Sequence, residues 1–140
     1  MILYLGTSSL VKLYLDEPHS ALVREWAAEA EIIATCRVAY TEIIAALDIR
    51  FRQEDLSRTE YDSLVNAFSR DWPHFAVIDF DDMEAGRLVN KYGLRRFDAL
   101  HLSAAKIVKE CRGGLSFVFS SVDKRLREAA AAEGMRVVES

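Results

Sequence analysis

The sequence predicts a parallel α/β sheet of four to five strands with helices on both faces. Three observations carry that expectation. Short apolar or β-branched runs recur along the chain, as expected of strands buried on both sides. Stretches with helical period lie between them, so strands and helices alternate. Capping residues and glycines punctuate the alternation at the points where helices should start and stop.

The first strand is Ile2 to Leu5, and the small polar run Gly6-Thr7-Ser8-Ser9 hands it to a helix. Leu10 to Leu15 reads as one short helix, interrupted by Glu17-Pro18-His19-Ser20, and a second covers Ser20 to Glu29. Ile32 to Thr35 is the next strand, since β-branched residues fit a pleated, buried surface. Apolar residues then recur with helical period from Val38 to Arg52, placing Glu42 inside a helix. Ser57-Arg58-Thr59-Glu60 has the form of a capping box and opens a helix reaching Arg70. Phe75 to Ile78 is a short strand. Asp81 or Asp82 caps the helix that follows, and Gly93 after Tyr92 supplies its left-handed terminus. Phe97 to Glu110 is the most apolar helix, with Asp98 in its first turn. Gly113-Gly114 turns the chain into a strand at Phe117 to Phe119. Asp123 opens the last helix, Gly134 ends it, and Met135 to Val138 can close the sheet.

At 140 residues the chain is expected to form one domain, spanning 1–140, with a single proper core. Hydrophobic residues make up 51% and charged residues 29%, an ordinary globular balance. A net charge of -4 argues against indiscriminate coating of nucleic acid, yet leaves room for a local basic groove. Cys36 and Cys111 form no CxxC pair. With no signal peptide at the start, both read as reduced, buried thiols of a cytoplasmic protein. No apolar run approaches the ~20 residues of a membrane span.

Glu42, Asp98 and Asp123 are far apart in sequence, each in an apolar or helix-starting context. Charged groups near a core are costly unless paired or holding a metal, so acids converging from separate segments are informative. In open α/β sheets ligands bind outside the carboxyl ends of the strands. Gly6 and Asp123 follow predicted strand ends, and Glu42 and Asp98 lie on helices that pack nearby if the crossovers are right-handed. Taken singly, Asp98 suits a helix dipole, Asp123 an N-cap, and Glu42 an ion pair with Arg37 or a wet face. His101, one turn after Asp98, reads as a core or edge histidine, because no second His or Cys completes a tetrahedral zinc site.

Four segments in register carry a more specific resemblance. The opening Met-Ile-Leu-Tyr-Leu-Gly6-Thr7-Ser8-Ser9-Leu10-Val11-Lys12 resembles the start of a PIN-domain ribonuclease. More narrowly, it is similar to the VapC toxins of toxin–antitoxin pairs, where Asp occupies the position of Gly6. Ala39-Tyr40-Thr41-Glu42-Ile43 is similar to the family's helix bearing an acidic Glu. Arg96-Phe97-Asp98-Ala99-Leu100-His101 resembles its third acidic motif, and Ser121-Val122-Asp123 its last. The resemblance implies a divalent-metal-dependent endoribonuclease toxin, with Mg2+ or Mn2+ held by Glu42, Asp98 and the residue at position 6. Asp123 and Ser121 would complete the polar cluster through water or a second ion. Lys12, Arg95, Arg96, Lys124 and Arg125 surround these motifs and are expected to contact RNA phosphates.

The resemblance further implies a homodimer and a cognate antitoxin protein as partner. The apolar helix from Val38 to Leu47 and the Ser57 to Arg70 segment supply surface for association. Hard cations prefer oxygen ligands, and magnesium takes one or two carboxylates while keeping several waters. Gly6 supplies no oxygen, so cation affinity and cleavage by this chain are expected to be impaired. The alternative is a catalytically inactive PIN module that binds RNA or an antitoxin. A flavodoxin-like or response-regulator-like domain lacks support, since no acid pair follows an early strand and no glycine-rich phosphate loop is present.

Overall fold

Every side chain of the first strand is buried, and that strand is the centre of the molecule. The computed structural model describes residues 1–140. Its strands are β1 (Ile2–Leu5), β2 (Ile32–Cys36), β3 (Ala76–Ile78), β4 (Phe117–Ser121) and β5 (Arg136–Glu139). All pair in parallel, in the order β3-β2-β1-β4-β5. The helices are α1 (Thr7–Leu10), α2 (Ser20–Glu29), α3 (Ala39–Arg52), α4 (Arg58–Asp71), α5 (Asp82–Tyr92), α6 (Arg96–Glu110) and α7 (Lys124–Ala132). Successive strand side chains point to opposite faces. Ile2 and Tyr4 therefore enter one core, which Leu88 of α5, Leu102 of α6 and Leu126 of α7 complete. Leu3 and Leu5 enter the other, with Leu10, Val23, Ile43, Leu47 and Phe68 from α1 to α4.

Most boundaries fall where the capping residues place them. Ser57 and Glu60 form the reciprocal capping box that opens α4, Asp81 caps α5, and Gly93 adopts φ +66 at its end. The start of the chain differs from expectation. The first helix begins at Thr7, not Leu10, and tightens into a 3-10 turn over Val11–Leu13. The reason is local: Gly6 is extended, and its carbonyl already accepts the N–H groups of Ser9 and Leu10.

One further expectation is corrected. Cys36 is buried, but Cys111 is exposed, because it follows the last turn of α6 on the way into the glycine turn. On α3 and α4, Ile43, Leu47 and Phe68 are fully buried within the chain, while Ile49 of α3 stays exposed. The two helices pack on each other.

Helices α5, α6 and α7 are also joined by charge. The Lys106 ammonium lies 2.7 Å from both Glu84 and Glu133, and Arg87 and Lys91 reach Glu133 from α5. These cations hold both carboxyls down to about 2, the bonds from Arg87 and Lys106 leading for Glu84 and the bond from Lys106 for Glu133. A depressed folded-state pKa contributes stability above the unfolded value, near 4.5, that is lost as pH falls toward 2. Urea unfolding at pH 7, 4 and 3 is expected to show that Glu133→Gln loses less stability over this range than the parent. Parallel losses in the two proteins would remove the network from the account of acid sensitivity.

Candidate active site

The strand order reverses between β1 and β4: the chain leaves β1 for β2 and β3, then returns to add β4 on the opposite flank. Such a reversal opens a crevice at the carboxyl ends of the strands. Here it is a cleft of about 690 Å³, lined among others by Gly6, Glu42, Asp98, Ser121 and Asp123, with Arg95 and Arg96 beside them. Gly6 follows β1, Ser121 ends β4, Asp123 begins α7, and Glu42 and Asp98 each occupy the first turn of a helix. The three acids that are remote in sequence thus share one cleft.

Each acid has its own surroundings. Glu42 does not pair with Arg37, which instead lies 3.5 Å from Asp79. Its Oε1 accepts the Thr7 hydroxyl at 2.7 Å and lies 2.9 Å from His101 Nε2. Asp123 is both N-cap and cleft residue: Oδ1 accepts the Leu126 N–H at 2.8 Å, and Oδ2 accepts from Arg95 at 2.9 Å. Asp98 lies 3.5 Å from the Arg95 guanidinium. Burial, then the neighbouring Asp123 charge, pushes the Asp98 carboxyl up, whereas the Leu126 N–H and Arg95 hold Asp123 down. Ser121 accepts the Asp123 N–H at 3.1 Å and lies 3.5 Å from the Ser8 hydroxyl.

The basic residues divide. Arg95 and Arg96 line the cleft, and Lys124 and Arg125 border a smaller hollow that continues from Arg95, Asp98 and Asp123. Arg125 donates to the Gly93 carbonyl at 3.1 Å, and Lys124 reaches Glu128 at 3.8 Å. Lys12 is elsewhere and must be set aside as an RNA contact. The 3-10 turn aims it inward, where it is 5% exposed and donates to the Pro18 carbonyl at 2.6 Å. The sequence reading passed over Tyr4 and Thr7 and took His101 only as a core or edge histidine; the three form a bonded group behind Glu42. A signal existed: Thr7 is the first residue of a helix that leaves a strand end, and His101 is three residues after Asp98 on the same helix.

Hard oxygen donors suit a divalent ion in kind. In arrangement they fall short, because no group of three or more His, Cys, Asp or Glu side chains stands ready to enclose one. Arg95 lies between Asp98 and Asp123, Glu42 is engaged with Thr7 and His101, and Gly6 contributes nothing. The space for a further ligand is nonetheless built. Position 6 has φ -64 and ψ 162, which any residue adopts, and a Cβ there would meet only the Ser120 carbonyl at 3.6 Å and Ser121 at 3.9 Å. An aspartate fits the backbone and the space that glycine now leaves.

A parallel sheet with an acid-lined cleft at its switch point defines an α/β protein whose polar site lies at the carboxyl ends of its strands. The chain belongs to the PIN domain family, whose model matches residues 3–132. It is 32% identical over 143 residues to Ribonuclease VapC45 of Mycobacterium tuberculosis (strain CDC 1551 / Oshkosh), covering 97% of this chain and 94% of that protein. The same identity and coverage relate it to Ribonuclease VapC49 of Mycobacterium tuberculosis (strain ATCC 25618 / H37Rv). The fold is shared with the solved structure of VapBC2 from Rickettsia felis bound to a DNA fragment from their promoter. That likeness has a TM-score of 0.63 at 17% identity, over 99% of this chain and 98% of the other. The chain is a VapC-type PIN domain.

Proposed function

We propose that this protein is the endoribonuclease toxin of a toxin–antitoxin pair, acting in the cytoplasm with Mg2+ or Mn2+, and impaired in this chain by Gly6. The observation that carries the reading is the convergence of Glu42, Asp98 and Asp123 beside position 6. The names of the two mycobacterial ribonucleases support RNA as the substrate. No helix is long and apolar enough to cross a membrane. A bound divalent ion supplies a more acidic water and offsets charge gathering at phosphorus. Asp98 and Glu42, with an acid at position 6, are the residues that would hold it. Asp123 and Ser121 orient the polar floor, and Arg95, Arg96, Lys124 and Arg125 draw the phosphate backbone toward the cleft. A homodimer and a small antitoxin that covers the cleft complete the proposal, the antitoxin supported by the likeness to VapBC2.

A second reading is an inactive PIN module that binds RNA or an antitoxin. Its specific support is Arg95, whose guanidinium bridges Asp98 and Asp123 where a cation would otherwise offset them. The deciding experiment incubates the chain and its Gly6→Asp variant with total RNA, with Mg2+, with Mn2+ and with chelator. Cleavage by the variant, stopped by chelator, is expected. No cleavage by either protein with either ion, alongside retained RNA binding, would replace the first reading with the second.

A further inference from the structure

Behind Glu42 lies a buried chain of polar side chains running from β1 through α6 to α3. The Tyr4 hydroxyl is 2.9 Å from His101 Nδ1, and His101 Nε2 is 2.9 Å from both the Thr7 hydroxyl and Glu42 Oε1. Tyr4 is 0% exposed and His101 2% exposed, so neither exchanges these partners for bulk water. Buried polar groups of this kind must satisfy each other, which fixes where the hydrogens are.

Thr7, Glu42 and Tyr4 between them constrain the hydrogens on the His101 ring. Thr7 has a single hydroxyl hydrogen and donates it to Glu42 Oε1 at 2.7 Å. His101 Nε2 therefore faces two oxygens that can only accept, and it must carry a hydrogen. At the other side of the ring, the Tyr4 hydroxyl bonds only Nδ1. A phenol carries one hydrogen to donate, and Nδ1 is the only side-chain partner within reach of it. Satisfying that hydrogen assigns Nδ1 as the accepting nitrogen. Both side-chain bonds to Glu42 fall on Oε1, leaving Oε2 for the cleft.

We infer that His101 is a positioning residue: Tyr4 holds its Nδ1, Nε2 donates to Glu42, and together with Thr7 it clamps Glu42 Oε1 so that Oε2 alone is presented to the cleft. The inference deepens the proposed function, on which it rests for the identity of what Oε2 meets. Groups that orient a metal-binding carboxylate contribute about 10–100-fold to affinity. A side chain free to turn would instead spread Glu42 over several positions.

The test separates the two ring nitrogens. Gln at position 101 can place an amide N–H near the Nε2 position and keep the Glu42 bond, whereas Asn reaches only the Nδ1 position and loses it. In the chain as it stands, proton–nitrogen correlation of the imidazole is expected to show a protonated Nε2 and a bare Nδ1. The Glu42 carboxyl carbon resonance is expected to stay near its parent position in His101→Gln and to shift in His101→Asn. In the Gly6→Asp background, water-proton relaxation with Mn2+ is expected to show about tenfold or greater weakening for Asn and little for Gln. A protonated Nδ1, or equal effects of Gln and Asn, would overturn the inference and leave His101 as filling alone. If the Gly6→Asp chain fails to bind Mn2+ while the tautomer and the carboxyl split stand, the clamp survives and the cation reading of the site is what fails. Should both His101 variants fail to fold, the tautomer of the parent decides.

Discussion

Gly6→Asp is expected to raise cation-dependent RNA cleavage by about a hundredfold or more, because a mispositioning of about 1 Å at a reacting centre already costs that much. Position 6 stands beside Ser121 at the carboxyl end of β1, facing the cleft shared by Glu42, Asp98 and Asp123. A carboxylate there adds the missing hard ligand and the missing charge. Nothing in the backbone resists it, since φ -64 is not a conformation reserved for glycine and the nearest atom to a new Cβ is 3.6 Å away. Without an ion the added charge repels its neighbours, and the loss of unfolded-state freedom at a former glycine offsets part of that, by about 0.4–1 kcal/mol. The variant should therefore gain more thermal stability from Mg2+ than the parent does. Paired initial rates on one RNA, and melting curves with and without Mg2+, measure both effects. Equal, chelator-sensitive rates in the two proteins would show that the cation does not use position 6.

Phe68→Ala is expected to cost about 3–5 kcal/mol, a large part of the ~5–15 kcal/mol that holds a domain together. Phe68 is fully buried and sits among Tyr14 at 5.3 Å, Tyr40 at 5.3 Å and Trp72 at 5.5 Å between ring centres. Truncating it removes its own burial together with two edge-to-face contacts and one stacked contact. The consequence reaches the site, because Tyr40 lies on α3 two residues before Glu42. Urea denaturation gives the stability loss. A loss below about 1 kcal/mol would mean that α4 repacks freely and that α3 does not depend on it.

How far the sequence led depended on the kind of signal. Strands and helices were legible wherever a local rule set them, as with the Ser57 capping box, the Gly93 terminus and the apolar runs that became β1 and β4. The start of the first helix was not, because Gly6 carries no side-chain cap and its role came from its backbone carbonyl. Lys12 looked like a surface cation because charge is read from sequence, but its direction is set by a 3-10 turn and the loop it meets. Cys111 failed in the same way, its exposure decided by where α6 stops.

The order and chemistry of the acids, and the glycine that interrupts them, were determined by the sequence itself. Their motifs are short, and each side chain's type is fixed whatever the fold does. Only the tertiary structure decided that Arg95 bridges Asp98 and Asp123, that Glu42 answers to Thr7 rather than Arg37, and that Tyr4 and His101 stand behind it. These partners are separated by as many as 97 residues. Their pairing depends on the reversal of strand order between β1 and β4 and on which helix face each strand meets. Local pattern sets what a segment becomes; hydrogen-bond partners across a cleft are set by packing, which no local pattern encodes.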